Sequence, residues 1–236
     1  MKLRSIPMAA AAVAAVAFSL PQVASANLVL VAPQDFAGTG LGSVNTVLTI
    51  QSPGSSSSES GGVAFGGGGV DVAFGDAKTG ASQTLTRSFA DLSITSAADI
   101  RVVFNAAEPG GDSITLNTLV LNIYSSTGGS PLFTSGAVSC PTVTGCAFPD
   151  TFTGTGNSGF VFALDATQAA LAQPFFAANN RIGLTASASN ATGGQETFFV
   201  ASAGGVTTPV PEPETYALML AGLGVLGFVA KRRKVS

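Results

Sequence analysis

The sequence predicts an all-β extracytoplasmic domain. It reads as an antiparallel β-sandwich of jelly-roll or Greek-key type with one short helix, flanked by an N-terminal signal peptide and a C-terminal transmembrane helix. Three observations lead there. Short runs of alternating polar and apolar residues recur along the middle of the chain, broken by Gly, Pro and Asn turns, and the strand–helix alternation of a parallel sheet is missing. Only 10% of the 236 residues are charged and 46% are hydrophobic, with 29 glycines and no tryptophan, a balance that suits an exported β protein. Six of the ten basic residues sit at the two ends: Lys2, Arg4, Lys231, Arg232, Arg233 and Lys234.

The N-terminal end has three parts in order. Lys2 and Arg4 form a basic region, Ala9 to Leu20 is apolar and stops at Pro21, and Ala24-Ser25-Ala26 has the small-x-small cleavage pattern. This predicts a signal peptide over residues 1–26, with Ala24 and Ala26 at the cleavage site and Asn27 as the first mature residue.

The domain is expected over 27–203. Val44 to Gln51 is rich in β-branched residues and predicts a strand. Ser52 to Gly62 offers no apolar face and reads as a flexible loop. Val63 to Phe65 and Val70 to Phe74 read as strands around the turn Gly66 to Gly69. That turn partly matches the calcium-binding β-roll nonapeptide, but the architecture needs stacked copies and only this one occurs. Thr84 to Phe89 and Leu92 to Thr95 alternate with period two and predict half-buried strands. Arg101 to Ala106 continues the pattern, and Glu108 to Asp112 is a turn.

Ile114 to Tyr124 is the clearest strand. Its middle is apolar on both phases, which predicts a central position. Thr127 to Pro131 is a turn, followed by short strands at Leu132 to Ser135 and Gly159 to Leu164. Asp165 or Thr167 can cap a short helix through Ala169, Ala170 and Leu171 that Pro174 ends. Arg181 to Ala188 and Thr197 to Ala201 supply the last strands, and 204–209 is a linker.

The residue inventory narrows the chemistry. The chain has no histidine, which excludes Ser-His-Asp and Cys-His nucleophile systems. Lys78, the only lysine of the middle, lies in a turn and reads as a solvated charge. Between Asn27 and Thr208 four basic residues face eleven acidic ones, a balance of minus seven that disfavours nucleic acid as a partner. No metal site, cofactor or catalytic residue is predicted. Cys140 and Cys146, an even pair in an exported chain, predict a disulfide.

The C-terminal segment, 210–236, carries the most specific pattern. Tyr216 to Ala230 is free of charge, and as a helix it would span about 22 Å against a hydrocarbon core of about 30 Å, a marginal transmembrane length. The cluster Lys231, Arg232, Arg233 and Lys234 would stop transfer and stay on the cytoplasmic side. Val210-Pro211-Glu212-Pro213-Glu214-Thr215, the apolar segment with Leu218, Gly222 and Leu223, and the Arg232-Arg233-Lys234 cluster together resemble a PEP-CTERM sorting signal. Pro211, Glu212 and Pro213 carry its hallmark.

The resemblance implies recognition by exosortase, an integral-membrane cysteine transpeptidase-like enzyme of Gram-negative bacteria that make exopolysaccharide. It also implies a transient stay in the inner membrane, removal of the tail, and delivery to the cell surface or extracellular matrix. It implies nothing about the ligand of the domain. The expectation is therefore a non-enzymatic surface or matrix protein linked to exopolysaccharide or biofilm. The alternatives are a carbohydrate- or calcium-binding adhesion module and a carboxylate-based hydrolase.

Overall fold

The computed structural model describes residues 27–32, 45–52, 56–80, 83–106, 113–140, 146–149, 159–192 and 194–203. The strands are β1 (Leu28–Ala32), β2 (Asn45–Ile50), β3 (Ser58–Gly66), β4 (Val70–Gly75), β5 (Arg87–Ser88), β6 (Ile100–Asn105) and β7 (Ser113–Tyr124). They continue with β8 (Phe133–Thr134), β9 (Val138–Ser139), β10 (Ala147–Pro149), β11 (Phe160–Leu164), β12 (Arg181–Ser189) and β13 (Glu196–Ser202). One sheet has the order β2-β13-β6-β11-β1-β9, and the other the order β10-β7-β12-β3-β4 with β5 and β8 attached. Every described strand pair is antiparallel except β1 with β9, which run parallel at Leu28↔Val138 and Val29↔Ser139. Consecutive strands switch sheets: β2 and β3, β6 and β7, and β12 and β13 lie on opposite sides.

Both sheets feed one buried cluster. Leu48, Phe104, Phe162 and Phe198 come from the six-stranded sheet; Val63, Leu119, Leu121 and Leu184 come from the seven-stranded one. Phe148 of β10 crosses between them, with ring centroids 4.4 Å from Phe160 and 5.6 Å from Phe104, and Phe104 stacks on Phe198 at 4.8 Å. Aromatic pairs in such offset and edge-on geometries add to the stability that burial alone supplies.

The expected strands at Val44 to Gln51, Val63 to Phe65, Val70 to Phe74, Arg101 to Ala106, Ile114 to Tyr124, Gly159 to Leu164, Arg181 to Ala188 and Thr197 to Ala201 are present. β7 is interior to its sheet, between β10 and β12. Its two apolar phases have a specific cause. A register shift opposite Ser187/Ala188 inserts one extra residue near Asn117, so Ile114 and Leu116 face the core before it and Leu119, Leu121 and Ile123 after it. A bulge exchanges the two faces of a strand in this way. The Gly-rich turn also holds: Gly68 and Gly69 have φ of 89° and 79°, which a β-carbon would strain, and the Gly69 N–H donates to the Gly66 carbonyl.

Three expectations are corrected. Ser58 to Gly62 is not loop but the first half of β3, paired with β12 through Ser189↔Ser58 to Thr185↔Gly62. An added methyl on Gly62 would sit 2.5 Å from the Phe74 ring and 2.9 Å from the Leu184 carbonyl oxygen. The glycine is there so that a neighbour's ring can cover the strand, a need its own segment does not reveal.

Thr84 to Phe89 and Leu92 to Thr95 do not form two strands. Only Arg87–Ser88 pairs, and a helical turn α1 (Phe89–Leu92) follows, then a 3-10 turn at Ala97–Asp99. Ser88 caps α1: its hydroxyl accepts from the Asp91 N–H while the Asp91 carboxylate accepts from the Ser88 N–H. This reciprocal box outcompetes strand pairing.

The alternation of Thr84 to Ser88 is also inverted. Thr84, Thr86 and Ser88 are buried and Leu85 only half so. Thr84 exchanges hydrogen bonds with Thr49 N and O, and Thr86 accepts from Arg181 while its hydroxyl donates to Asp71. Hydroxyls with distant partners are buried here at no unsatisfied cost. The expected short helix is α2 (Ala166–Ala172), capped by Asp165, whose carboxylate accepts from the Gln168 N–H at 2.8 Å; Pro174 sits in the 3-10 turn that closes it.

Candidate functional site

The first and last described strands of the domain begin and end at one rim. β1, β11, β6 and β13 are consecutive neighbours, and Val29, Ala163, Arg101 and Ala201 form one row across them. Asn27 and Ser202 therefore lie at the same edge of the six-stranded sheet, three strand spacings apart, roughly 14 Å. Sequence reasoning did not find β1. Its alternating Leu-Val-Leu-Val directly after the small-x-small pattern was the available signal.

Of the predicted site residues, Cys140 and Cys146 are described, and they form the expected disulfide, with Cα atoms 5.4 Å apart. The bond lies between β9, at one edge of the six-stranded sheet, and β10, at one edge of the seven-stranded sheet. It ties the sheets together where the chain crosses, and the Cys146 carbonyl accepts from the Leu116 N–H of β7. The cleavage residues Ala24 and Ala26, the motif Pro211, Glu212 and Pro213, the apolar segment 216–230 and the cluster Lys231, Arg232, Arg233 and Lys234 lie outside the described residues. So does the turn at Glu108 to Asp112. Among the described residues no helix is long and apolar enough to cross a membrane.

Four of the described acidic side chains, Asp71, Asp76, Asp91 and Asp165, accept hydrogen bonds that hold the fold. Asp76 accepts from the Ser60 N–H at 2.8 Å, and Asp71 from Thr86. Asp91 is held below the ordinary carboxylate range, first by the Ser88 hydrogen bonds. For Asp165, burial raises the pKa, but backbone N–H donors at Gln168, Asn27 and Thr167 outweigh it and bring the carboxyl below its usual value. Glu59 and Glu196 are buried at the starts of β3 and β13. Among the described residues no group of three or more His, Cys, Asp or Glu side chains is placed to hold a metal ion. An open groove of about 290 Å³ is lined by Phe89, Ala90, Ser93, Ile94, Thr95, Phe176 and Ala178, none of which titrates as an acid or base near neutrality.

The most specific functional feature is the tail. The family model for the PEP-CTERM protein-sorting motif matches residues 209–234. The chain carries a PEP-CTERM protein-sorting motif. No curated protein and no solved structure matches it. The match spans the Pro-Glu-Pro hallmark, the apolar segment and the basic cluster, so all three parts read from the sequence fall inside one motif. A PEP-CTERM motif marks an exported protein, sorted at the membrane through exosortase toward the cell surface.

Proposed function

We propose that this PEP-CTERM protein is a non-enzymatic surface or matrix component of a Gram-negative bacterium that makes exopolysaccharide. In this reading residues 1–26 are a cleaved leader, 27–203 the delivered domain, 204–209 a linker and 210–236 a disposable sorting handle. Pro211, Glu212 and Pro213 are the recognition element, the segment 216–230 spans the inner membrane transiently, and Lys231 to Lys234 stop transfer. The single observation that carries the proposal is the motif match at residues 209–234. The strand order is consistent with a jelly-roll carrier. Taking β2, β3, β6, β7, β10, β11, β12 and β13 as its eight strands, one sheet runs first-eighth-third-sixth and the other second-seventh-fourth-fifth.

Intact mass of the exported protein tests this reading. The expected mature species has lost both 1–26 and the basic tail. Replacing Pro211, Glu212 and Pro213 by alanine is expected to leave a longer, membrane-held form. A surface-delivered species that retains Lys231 to Lys234 would sink the idea.

A second reading, a carbohydrate-binding adhesion module, has one observation in its favour. The outer face of the seven-stranded sheet carries hydroxyl rows, Ser58–Ser189–Thr115 and Ser60–Ser187–Thr118, beside an exposed apolar strip on β4. A face built of such groups is uncharged and suits a neutral glycan. Calorimetry of the exported protein with the host polysaccharide decides: heat on mixing supports it, and none at millimolar ligand rejects it.

A further inference from the structure

The start of β1 is held by a carboxylate. The Asn27 backbone N–H donates to Asp165 Oδ2 at 2.7 Å, and the Asp165 N–H returns a bond to the Asn27 carbonyl at 3.2 Å. The other carboxylate oxygen, Oδ1, accepts from Gln168 N and caps α2. One side chain thus pins both a strand start and a helix start. The next residue, Leu28, is already in register with Leu164 and fully buried. The nitrogen on the carboxylate belongs to the residue that follows Ala24-Ser25-Ala26.

We propose that removal of the leader converts the Asn27 nitrogen into an α-ammonium that forms an ion pair with Asp165 and locks β1 into the six-stranded sheet. This rests on the proposed cleavage before Asn27. Hydrolysis adds water across the Ala26–Asn27 peptide bond: Ala26 leaves with the hydroxyl as a carboxylic acid that ionises, and the Asn27 nitrogen takes the hydrogen as an amine. An α-amine, with an ordinary pKa of about 7.7–8.0, then binds a further proton near neutrality. The hydrogen bond in place, charged until then only at the carboxylate, then carries charge on both partners and becomes an ion pair.

Three features support the assignment. The donors that hold the Asp165 carboxyl below its usual range are uncharged backbone N–H groups, so the ammonium would bring a counter-charge that the precursor does not supply there. A helix cap alone does not need a carboxylate, because Asn and Ser cap as well as Asp. β1 also has much to hold, since it pairs with β11 on one side and with β9, which leads directly into the Cys140–Cys146 bond, on the other. Completion of the rim is then coupled to processing, and the precursor is the looser form.

The test uses the exported protein. Intact mass first establishes whether the mature chain begins at Asn27; a different first residue overturns the cleavage reading itself. Melting is then compared for Asp165→Asn, for a single alanine inserted between Ala26 and Asn27, and for both together. Asp165→Asn keeps the cap and removes the charge, and the insertion restores a neutral amide at Asn27. The expected result is a fall of about 2–4 °C for Asp165→Asn in the chain that begins at Asn27, and most of that loss gone when the inserted alanine precedes it. An equal fall in both backgrounds, or none in the first, overturns the ion pair. If a variant does not fold, the unsubstituted protein still decides. Its α-amine, followed by NMR after ¹³C-methylation, is expected to titrate above about 8, and an ordinary or lower value overturns the proposal.

Discussion

The two sheets solve the same problem with different residues. In the six-stranded sheet β11 is buried at all five positions, and β6 and β13 bury consecutive residues, Val102 to Phe104 and Phe198 to Val200. Both of its faces are therefore covered in the middle. In the seven-stranded sheet β12 alternates from Leu184 on: Leu184, Ala186 and Ala188 point inward, while Thr185, Ser187 and Ser189 stay half-exposed. Its outer edge strand β4 leaves Val70, Val72 and Phe74 on the surface. A sheet covered on both faces reads as continuous apolar runs, and a sheet with one wet face reads as strict alternation. The difference teaches that hydrophobic content marks position in this fold, whereas alternation marks which sheet meets solvent.

Substitutions can break or sharpen this contrast. The largest effect is expected at Phe199, fully buried on the side of β13 opposite Phe198 and Val200 in the core cluster. Phe199→Ala should cost about 3–5 kcal/mol in urea unfolding, and a cost near zero would mean that the second face of the six-stranded sheet is not covered in solution. Next comes the tie between the sheets. Replacing Cys140 and Cys146 by serine should cost about 2 kcal/mol, as expected for a short closed loop, and loosening should start at β9 and β10. Hydrogen exchange that rises instead in β4 and β3 would assign the tie a different role. Gly62→Ala should cost about 1–3 kcal/mol because Phe74 and the Leu184 carbonyl already occupy the space. This would make one spot on the wet-faced sheet as intolerant as a core position. The smallest effect is expected for Val72→Thr on the exposed strip, within about 0.5 kcal/mol. A larger loss would show that this strip is covered in the native protein.

Legibility followed the same division. β11, β12 and β13 could be read because their residues declare burial locally, as apolar runs or as alternation. The bulge in β7 was visible only as apolar residues on both phases, since the extra residue is recognised by counting against the partner strand. Ser58 to Gly62 was unreadable as strand because Gly62 is shaped by Phe74, twelve residues away, and by Leu184 of β12. Thr84 and Thr86 misled because their hydroxyls are satisfied by Thr49, Asp71 and Arg181. The α1 turn could have been found, since Ser88 with Asp91 three residues on is a capping-box spacing. Of the candidate site, the disulfide and the sorting motif were legible, one from cysteine count and compartment, the other from three ordered parts. The pairing of Asn27 with Asp165 was not, because it joins positions 138 residues apart.

The place where the domain meets its tail has a mechanical consequence. β13 ends at Ser202 and lies between β2 and β6, paired to both. A pull on the chain beyond Ser202, directed along the strand axis, would load β13 lengthwise. The ladder bonds run perpendicular to the strands, so such a load would be taken in shear, first by the β6 row at Ala201 and Ser202 and then by both rows from Val200 on. In the proposed precursor, before its tail is removed, the domain would hang from this strand, and the tension would be borne by the sheet that is buried on both faces.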